Sequence, residues 1–310
     1  MLHLTNGDGA VEGIRATGVD GDLLVWRDVL HEGPVPAGAA EGELREIRAG
    51  FLARCGWAER EEALEDLARR DARLERAVRR DEAIVLWFER DLYDQLQLVQ
   101  VLDRLFALGA GPRATLVETE QPLGLIEPGE LVAAYARGRA VEAGMLELGR
   151  LAWRAFRADD PREIEAVLAG ELSALPALGA ALERHLEQFP GVGDGLSRSE
   201  RQALAALADG PLAFPALFER AQRDEPRRFL GDVVLRWYLT ELARPPAPLV
   251  AAAEEGEAWS LTERGRRVLA GEEDRLASGR FDRWLGGVRV LAPRRIWRWD
   301  RAARRIVAPA

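Results

Sequence analysis

Lysine is absent: all 43 basic residues of this 310-residue chain are arginine. That excludes Schiff-base catalysis, lysine adenylylation and a Walker-type phosphate lysine. Phosphate recognition then falls to arginine, backbone amides or a metal ion. Cysteine is almost absent too. The single Cys55 rules out an intrachain disulfide framework and a cysteine-cluster metal site. It lies in the helix-like stretch Phe51–Trp57 with no adjacent histidine, and reads as a buried structural thiol. His185 sits among Leu182, Leu186 and Phe189, and no second ligand is spaced to join it, so packing is its expected role. No apolar run approaches the roughly 18 residues that span a bilayer. The N-terminus, Met1-Leu2-His3-Leu4, lacks the basic-then-apolar pattern of a secretory signal, so a cytoplasmic location is expected.

Charge is present in both signs but unevenly spread. Residues 261–310 hold 13 arginines and 6 acids, a net of +7 against −9 for the whole chain, so the preceding 260 residues carry −16. Such asymmetry predicts a basic C-terminal surface facing an anionic partner, or an arginine face that only balances an acidic body. Trp284, Trp297 and Trp299 are interleaved with Arg294, Arg295, Arg298 and other arginines, a combination that stacks bases and neutralises phosphates. The alternation around Ile296–Trp299 equally describes a strand that packs its tryptophans.

The first 120 residues alternate between strand and helix signals. Strands are predicted over Leu2–Thr5, Leu23–Trp26, Ile84–Phe88 and Ala114–Val117. Helices are predicted over Ala10–Thr17, Glu41–Arg54, Ala58–Arg80 and Asp91–Leu108. Gly33-Pro34-Val35-Pro36 reads as a turn. This order predicts an α/β fold, a Rossmann-like parallel sheet over residues 1–125. An all-helical segment is expected over 126–190, followed by the linker Pro190–Gly195. Ser197-Arg198-Ser199-Glu200 is a capping box. Three helices then precede a hairpin around Glu254-Glu255-Gly256-Glu257, which predicts a winged-helix-like domain over 196–275; its presumed wing tip is acidic and would repel a duplex. A small basic β appendage is expected over 276–310.

Three polar motifs follow predicted strands: Asn6-Gly7-Asp8-Gly9, Arg27-Asp28 with His31-Glu32-Gly33-Pro34, and Glu89-Arg90-Asp91-Leu92-Tyr93-Asp94-Gln95. Loops at the carboxyl ends of parallel strands form the ligand crevice, so the three motifs are expected to converge. Asp8, Asp28, His31, Glu32, Glu89 and Asp91 are the candidate catalytic residues. Asp28, Glu89 and Asp91 are the candidate ligands of a hard divalent ion, Mg²⁺ or Mn²⁺, which activates water and neutralises a phosphoryl group. Asn6, Gly7, Gly9, Arg27, Arg90 and Gln95 are candidate ligand-binding residues. The glycines leave room at a helix N-terminus, and Asp28 lies 20 residues beyond Asp8, near where a ribose-binding acid sits in dinucleotide sites. Two structural readings compete: a tight strand-to-helix turn needs the same glycines, and Asp8 and Asp91 are natural helix caps.

These three motifs, together with Gly195-Leu196-Ser197-Arg198-Ser199-Glu200-Arg201, resemble the bacterial family called domain of unknown function 1835. The resemblance covers about the first 120 residues. Arg90 stands where histidine is common, which argues against proton transfer there. The resemblance implies a domain boundary rather than a reaction. The expected function is a metal-dependent enzyme acting on a nucleotide or another phosphorylated small molecule. A C-terminal nucleic-acid contact through Arg294, Arg295 and Arg298, or a protein contact, would accompany it. The rivals are a non-enzymatic, ligand-sensing transcriptional regulator and a protein-interaction scaffold.

Overall fold

The computed structural model describes residues 1–109, 113–253, 258–277, 281–292 and 296–309. The chain begins with β1 (Leu2–Thr5), α1 (Asp8–Ala16), β2 (Asp22–Val25), the two-residue β3 (Gly33–Pro34), α2 (Glu41–Arg54) and α3 (Arg60–Arg79). It continues through β4 (Ile84–Glu89), α4 (Leu92–Ala107) and β5 (Ala114–Thr119). The four strands expected from the sequence are neighbours: β2, β1, β4 and β5 lie side by side, all parallel. Their apolar residues divide between two faces. Val85, Trp87 and Val117 pack under α1 with Leu123 and Leu131, whereas Ile84, Leu86, Phe88 and Leu116 pack under α4. A parallel sheet covered on both faces accounts for the nearly unbroken apolar run of β4.

After β5 come α5 (Pro128–Ala136), β6 (Arg139–Ala140), α6 (Ala143–Arg157), α7 (Arg162–Leu168) and α8 (Leu178–Leu186). The all-helical reading of this stretch therefore needs one correction, because β6 adds an antiparallel edge to the sheet beside β5. Two exposed residues are too few to leave a period in the sequence. Helix α6 crosses α4 closely: a Cβ on Gly149 would stand 2.5 Å from the Leu102 Cβ.

Next are α9 (Arg198–Ala206), β7 (Leu212–Ala213), α10 (Phe214–Ala221), α11 (Asp232–Leu242), β8 (Val250–Ala252), β9 (Ala258–Leu261) and α12 (Glu263–Ala270). The capping box forms as expected at α9, with Ser197 accepting from the Glu200 amide and Glu200 accepting from the Ser197 amide. β7, β9 and β8 make a small antiparallel sheet. The acidic hairpin tip expected at Glu254–Glu257 lies outside the described residues. The chain ends with β10 (Phe281–Gly286), β11 (Val288–Ala292), β12 (Arg298–Asp300) and β13 (Arg305–Val307).

The largest departure from the sequence reading is at Gly33-Pro34-Val35-Pro36. Gly33 and Pro34 form β3, which pairs in parallel with β10 at Leu285 and Gly286. Gly33 takes a left-handed backbone, φ 81°, where a side chain would also strike the Phe51 ring. Strand β10 was not legible because a buried charge, Arg283, occupies one of its inward positions. That guanidinium donates to both oxygens of Glu32, through Nε at 2.9 Å and through Nη2, and the Tyr238 hydroxyl donates to the same carboxylate. One continuous apolar core runs from Leu2 to Ile306 through all these segments.

Removing one member of a buried pair leaves its partner charged and dry. Arg283→Met is expected to lower the unfolding free energy by about 3–5 kcal/mol. Asp8→Asn, which breaks the exposed pair with Arg27, should cost no more than about 1 kcal/mol. Urea denaturation of both variants checks the ordering, and equal losses would contradict it.

Candidate functional site

The strand order places a topological switch between β1 and β4. From β1 the chain steps outward to β2 on one side, then returns to place β4 on the other. Ligands bind in open α/β sheets beyond the carboxyl ends of the strands at such a switch. Asn6 follows β1 there, Glu89 ends β4, and Asp91 and Asp94 open α4. Asp91 caps that helix by accepting from the Asp94 amide at 3.1 Å. Glu89, Asp91 and Asp94 each present an oxygen within 4.8 Å of the others.

Neighbouring dipoles hold this cluster in place. Asn6 Nδ2 donates to Asp94 Oδ1 at 2.6 Å and to Glu89 Oε1 at 3.2 Å. The Leu123 amide donates to Glu89 Oε1 at 2.9 Å, and the Glu89 amide donates to Asp94 Oδ2. Gln95 Nε2 donates to the Glu89 carbonyl at 2.8 Å, while the buried Gln95 Oε1 has no partner among the described residues. No ion pair reaches Glu89, Asp91 or Asp94 among the described residues, in a chain of 43 arginines. Burial, and then the Glu89 charge, push the Asp91 carboxyl up to about 8. Burial, followed by Asp91 and Glu89, drives Asp94 well above the usual carboxylate range. Three crowded carboxyl groups must share protons or a cation. An all-oxygen donor set fits a hard divalent ion.

Asp91 also lines a cleft of about 190 Å³ between α4 and the helices that follow. Arg90, Arg184, Arg198, Arg227 and Arg304 line it as well. Arg90 and Arg227 both reach Glu120, and Arg198 pairs with Glu187 at 2.8 Å.

The second motif does not join this cluster. The Asp28 carboxylate is fully buried against Arg48 of α2, which donates through Nε at 3.1 Å and Nη2 at 2.7 Å. Arg48 also donates to the carbonyls of Glu32 and Val29. Asp28 is thus an anchor of its own loop, and the expectation that it ligates a metal beside Glu89 and Asp91 is corrected. Glu32 points away to Arg283 and Tyr238. His31 is 1% exposed, packed edge-on against Tyr93 and Phe229, with neither ring nitrogen partnered among the described residues. Burial, and then Arg283, hold it neutral. None of these three contacts solvent as a general acid or base would.

The first motif divides. Asn6 holds the acids, as described. Gly7 is the N-cap of α1, and a Cβ on Gly7 or Gly9 would meet nothing within 4 Å, so both face open space. Asp8 and Arg27 form an exposed pair at 2.9 Å. Of the C-terminal arginines, Arg298 bridges Asp274 at 2.7 Å and donates to the Gly191 carbonyl. Arg294 and Arg295 lie outside the described residues. Arg289, Arg301 and Arg304 pair with Asp282, Asp194 and Glu183. Burial pushes the Cys55 thiol up to about 12, which fits an inert structural role.

The sequence reading quoted Asp94 but did not place it in the site. Its signal was the spacing Glu89-x-Asp91-x-x-Asp94, which puts one acid at the end of β4, one at the N-cap of α4 and one in that helix's first turn. The arginines Arg48 and Arg283 left no such signal. The chain matches no protein-family model, and no curated protein is recognisably similar to it.

The raised Asp91 carboxyl has a direct consequence for stability. The native state keeps a proton that the unfolded chain releases near pH 4, so stability falls as pH rises from about 4 to about 8. Each pH unit in that window removes up to about 1.4 kcal/mol. Asp91→Asn should flatten this slope in urea titrations run in EDTA between pH 5 and pH 8.5. Parallel wild-type and variant curves would show that Asp91 is already ionised.

Proposed function

We propose that the chain is a divalent-metal-dependent enzyme acting on a phosphorylated small molecule, nucleotides included, at the β1–β4 switch of a Rossmann-like domain. Membership of the domain of unknown function 1835 family is part of this proposal. The observation that carries it is the trio Glu89, Asp91 and Asp94: half-buried at Glu89 and buried at Asp91 and Asp94, mutually repelling, and unpaired with any arginine among the described residues. Elsewhere buried acids have a guanidinium, as at Asp28 and Glu32. Glu89, Asp91 and Asp94 would hold Mg²⁺ or Mn²⁺, with Gln95 Oε1 as a further oxygen donor. A bound ion of this kind neutralises phosphoryl charge and lowers the pKa of a coordinated water.

The protein's own contribution is positioning. Asn6 fixes the orientation of two of the acids through a single amide. The α4 N-terminus favours negative charge at Asp91 and at any anion beside it. Arg90, Arg198 and Arg227 line the adjoining cleft, where their guanidinium groups can exchange Glu120 and Glu187 for phosphate oxygens. Gly7 and Gly9 leave the approach along β1 unobstructed.

A second reading is a ligand-sensing transcriptional regulator. It is supported by the order helix, strand, helix, helix, strand, strand from α9 to β9, which is that of a winged helix. Steeply salt-dependent retention of a DNA duplex, lost with Arg298→Ala, would favour it.

Electron paramagnetic resonance of the full chain titrated with Mn²⁺ tests the enzyme reading. Binding in the micromolar range is expected, at least tenfold weaker in Asp91→Asn and in Glu89→Gln and little changed in Asp8→Asn. Phosphate release from a panel of nucleotides and phosphomonoesters should follow the same order. Free Mn²⁺ spectra at millimolar metal would overturn the proposal.

A further inference from the structure

The opposite edge of the sheet carries a second feature. β2 pairs with β1 alone among the described residues. The Asp22 amide donates to the Met1 carbonyl at 3.0 Å and the Trp26 amide to the Thr5 carbonyl at 2.7 Å. Even-numbered residues therefore face β1, and Leu23 and Val25 turn their N–H and C=O groups outward. An open edge of this kind is a template for another strand.

A groove of about 540 Å³ runs between this edge and α3. Arg69, Arg73 and Arg76 stand at four- and three-residue intervals, on one face of the helix. With Arg27 and Arg70 they make five arginines against two acids, Asp22 and Asp66, in the groove's lining, while Asp8, Asp71 and Glu82 beside it also pair with Arg27, Arg70 and Arg73. The arginines are incompletely matched. Arg76 is exposed with no side-chain partner among the described residues, and Arg73 Nη1 is buried with none, although Nη2 of the same residue reaches Asp22 and Glu82.

We infer that this groove docks an extended acidic segment of a protein partner, which adds a strand to β2 and lays its carboxylates on the α3 arginines. Two geometric facts favour a peptide over other polyanions. Alternate residues of a strand recur at about 6.6 Å, and helix positions four apart, such as Arg69 and Arg73, rise by about 6 Å. A nucleic-acid backbone would satisfy the guanidinium groups but has no regular donor–acceptor alternation to match Leu23 and Val25. Strand addition meets both demands, with the backbone giving affinity and the side chains specificity.

Fluorescence anisotropy of the full chain with a labelled octapeptide of alternating Glu and Val tests this. Binding is expected, weakening at least tenfold in Arg69→Glu/Arg76→Glu and at least fivefold between 50 and 300 mM salt. The same peptide N-methylated on alternate residues should lose affinity tenfold, because it cannot pair with the edge. Leu23→Pro removes one outward amide while sparing the β1 ladder and should weaken binding similarly, with circular dichroism confirming the fold. No binding at 0.5 mM peptide, equal binding of the N-methylated form, or retention of single-stranded DNA without the peptide would each overturn the inference. The first result would leave the arginines as guards of the edge.

Discussion

Charges taken out of water must meet their opposites, and that constraint shapes the interior of this protein. Arg48 closes on Asp28, and Arg283 on Glu32 and Tyr238. Arg275 closes on Glu200, and Arg184 on Glu225. The pairs span from 20 residues, for Asp28 and Arg48, to 251, for Glu32 and Arg283, and Glu200 serves the α9 cap and Arg275 and lies 3.7 Å from Arg283. Isolated pairs of this kind often give little net stability, since desolvation offsets attraction. Their effect is to make alternatives costly, because any other register of β3 against β10 would strand a charge in the core.

Against that background the Glu89–Asp91–Asp94 cluster is an exception. Its three acids are held by amides, from Asn6, Leu123 and the start of α4, which orient carboxylates without neutralising them. A fold that supplies a guanidinium to Asp28 and Glu32 supplies none here among the described residues. The proposal of a cation site rests on this contrast more than on proximity alone. Crowded carboxyl groups with no guanidinium beside them, at the end of a central strand, are a feature stability does not select.

The parallel sheet was legible because its period and its turns are local: Ile84–Phe88 is an unbroken apolar run, and Asp91 announces α4. The capping box at Ser197 was legible for the same reason. What could not be read was which distant side chain meets which. His31-Glu32-Gly33-Pro34 has the polar and turn residues of a binding loop. Its burial follows from Arg48 and Arg283, and neither carries a mark that sets it apart from the other arginines. The same ambiguity explains β10, where Arg283 interrupts the apolar alternation that identifies a strand. In the acidic cluster, Glu89 and Asp91 stand together as expected and Asp28 stands elsewhere, because strand-end position was legible and side-chain direction was not.

The pairing of Glu32 with Arg283 spans 251 residues. At ribosomal speeds of about 5–20 residues per second, that separation corresponds to roughly 13–50 s of synthesis. Arg48 emerges soon after Asp28, so one half of the loop is fastened early. The other half waits, with Glu32 hydrated and the groove for β10 open, until Arg283 has been made. The last strands of the protein therefore complete a structure whose first strand was available from the start. A nascent chain truncated before residue 283 must leave that carboxylate in water.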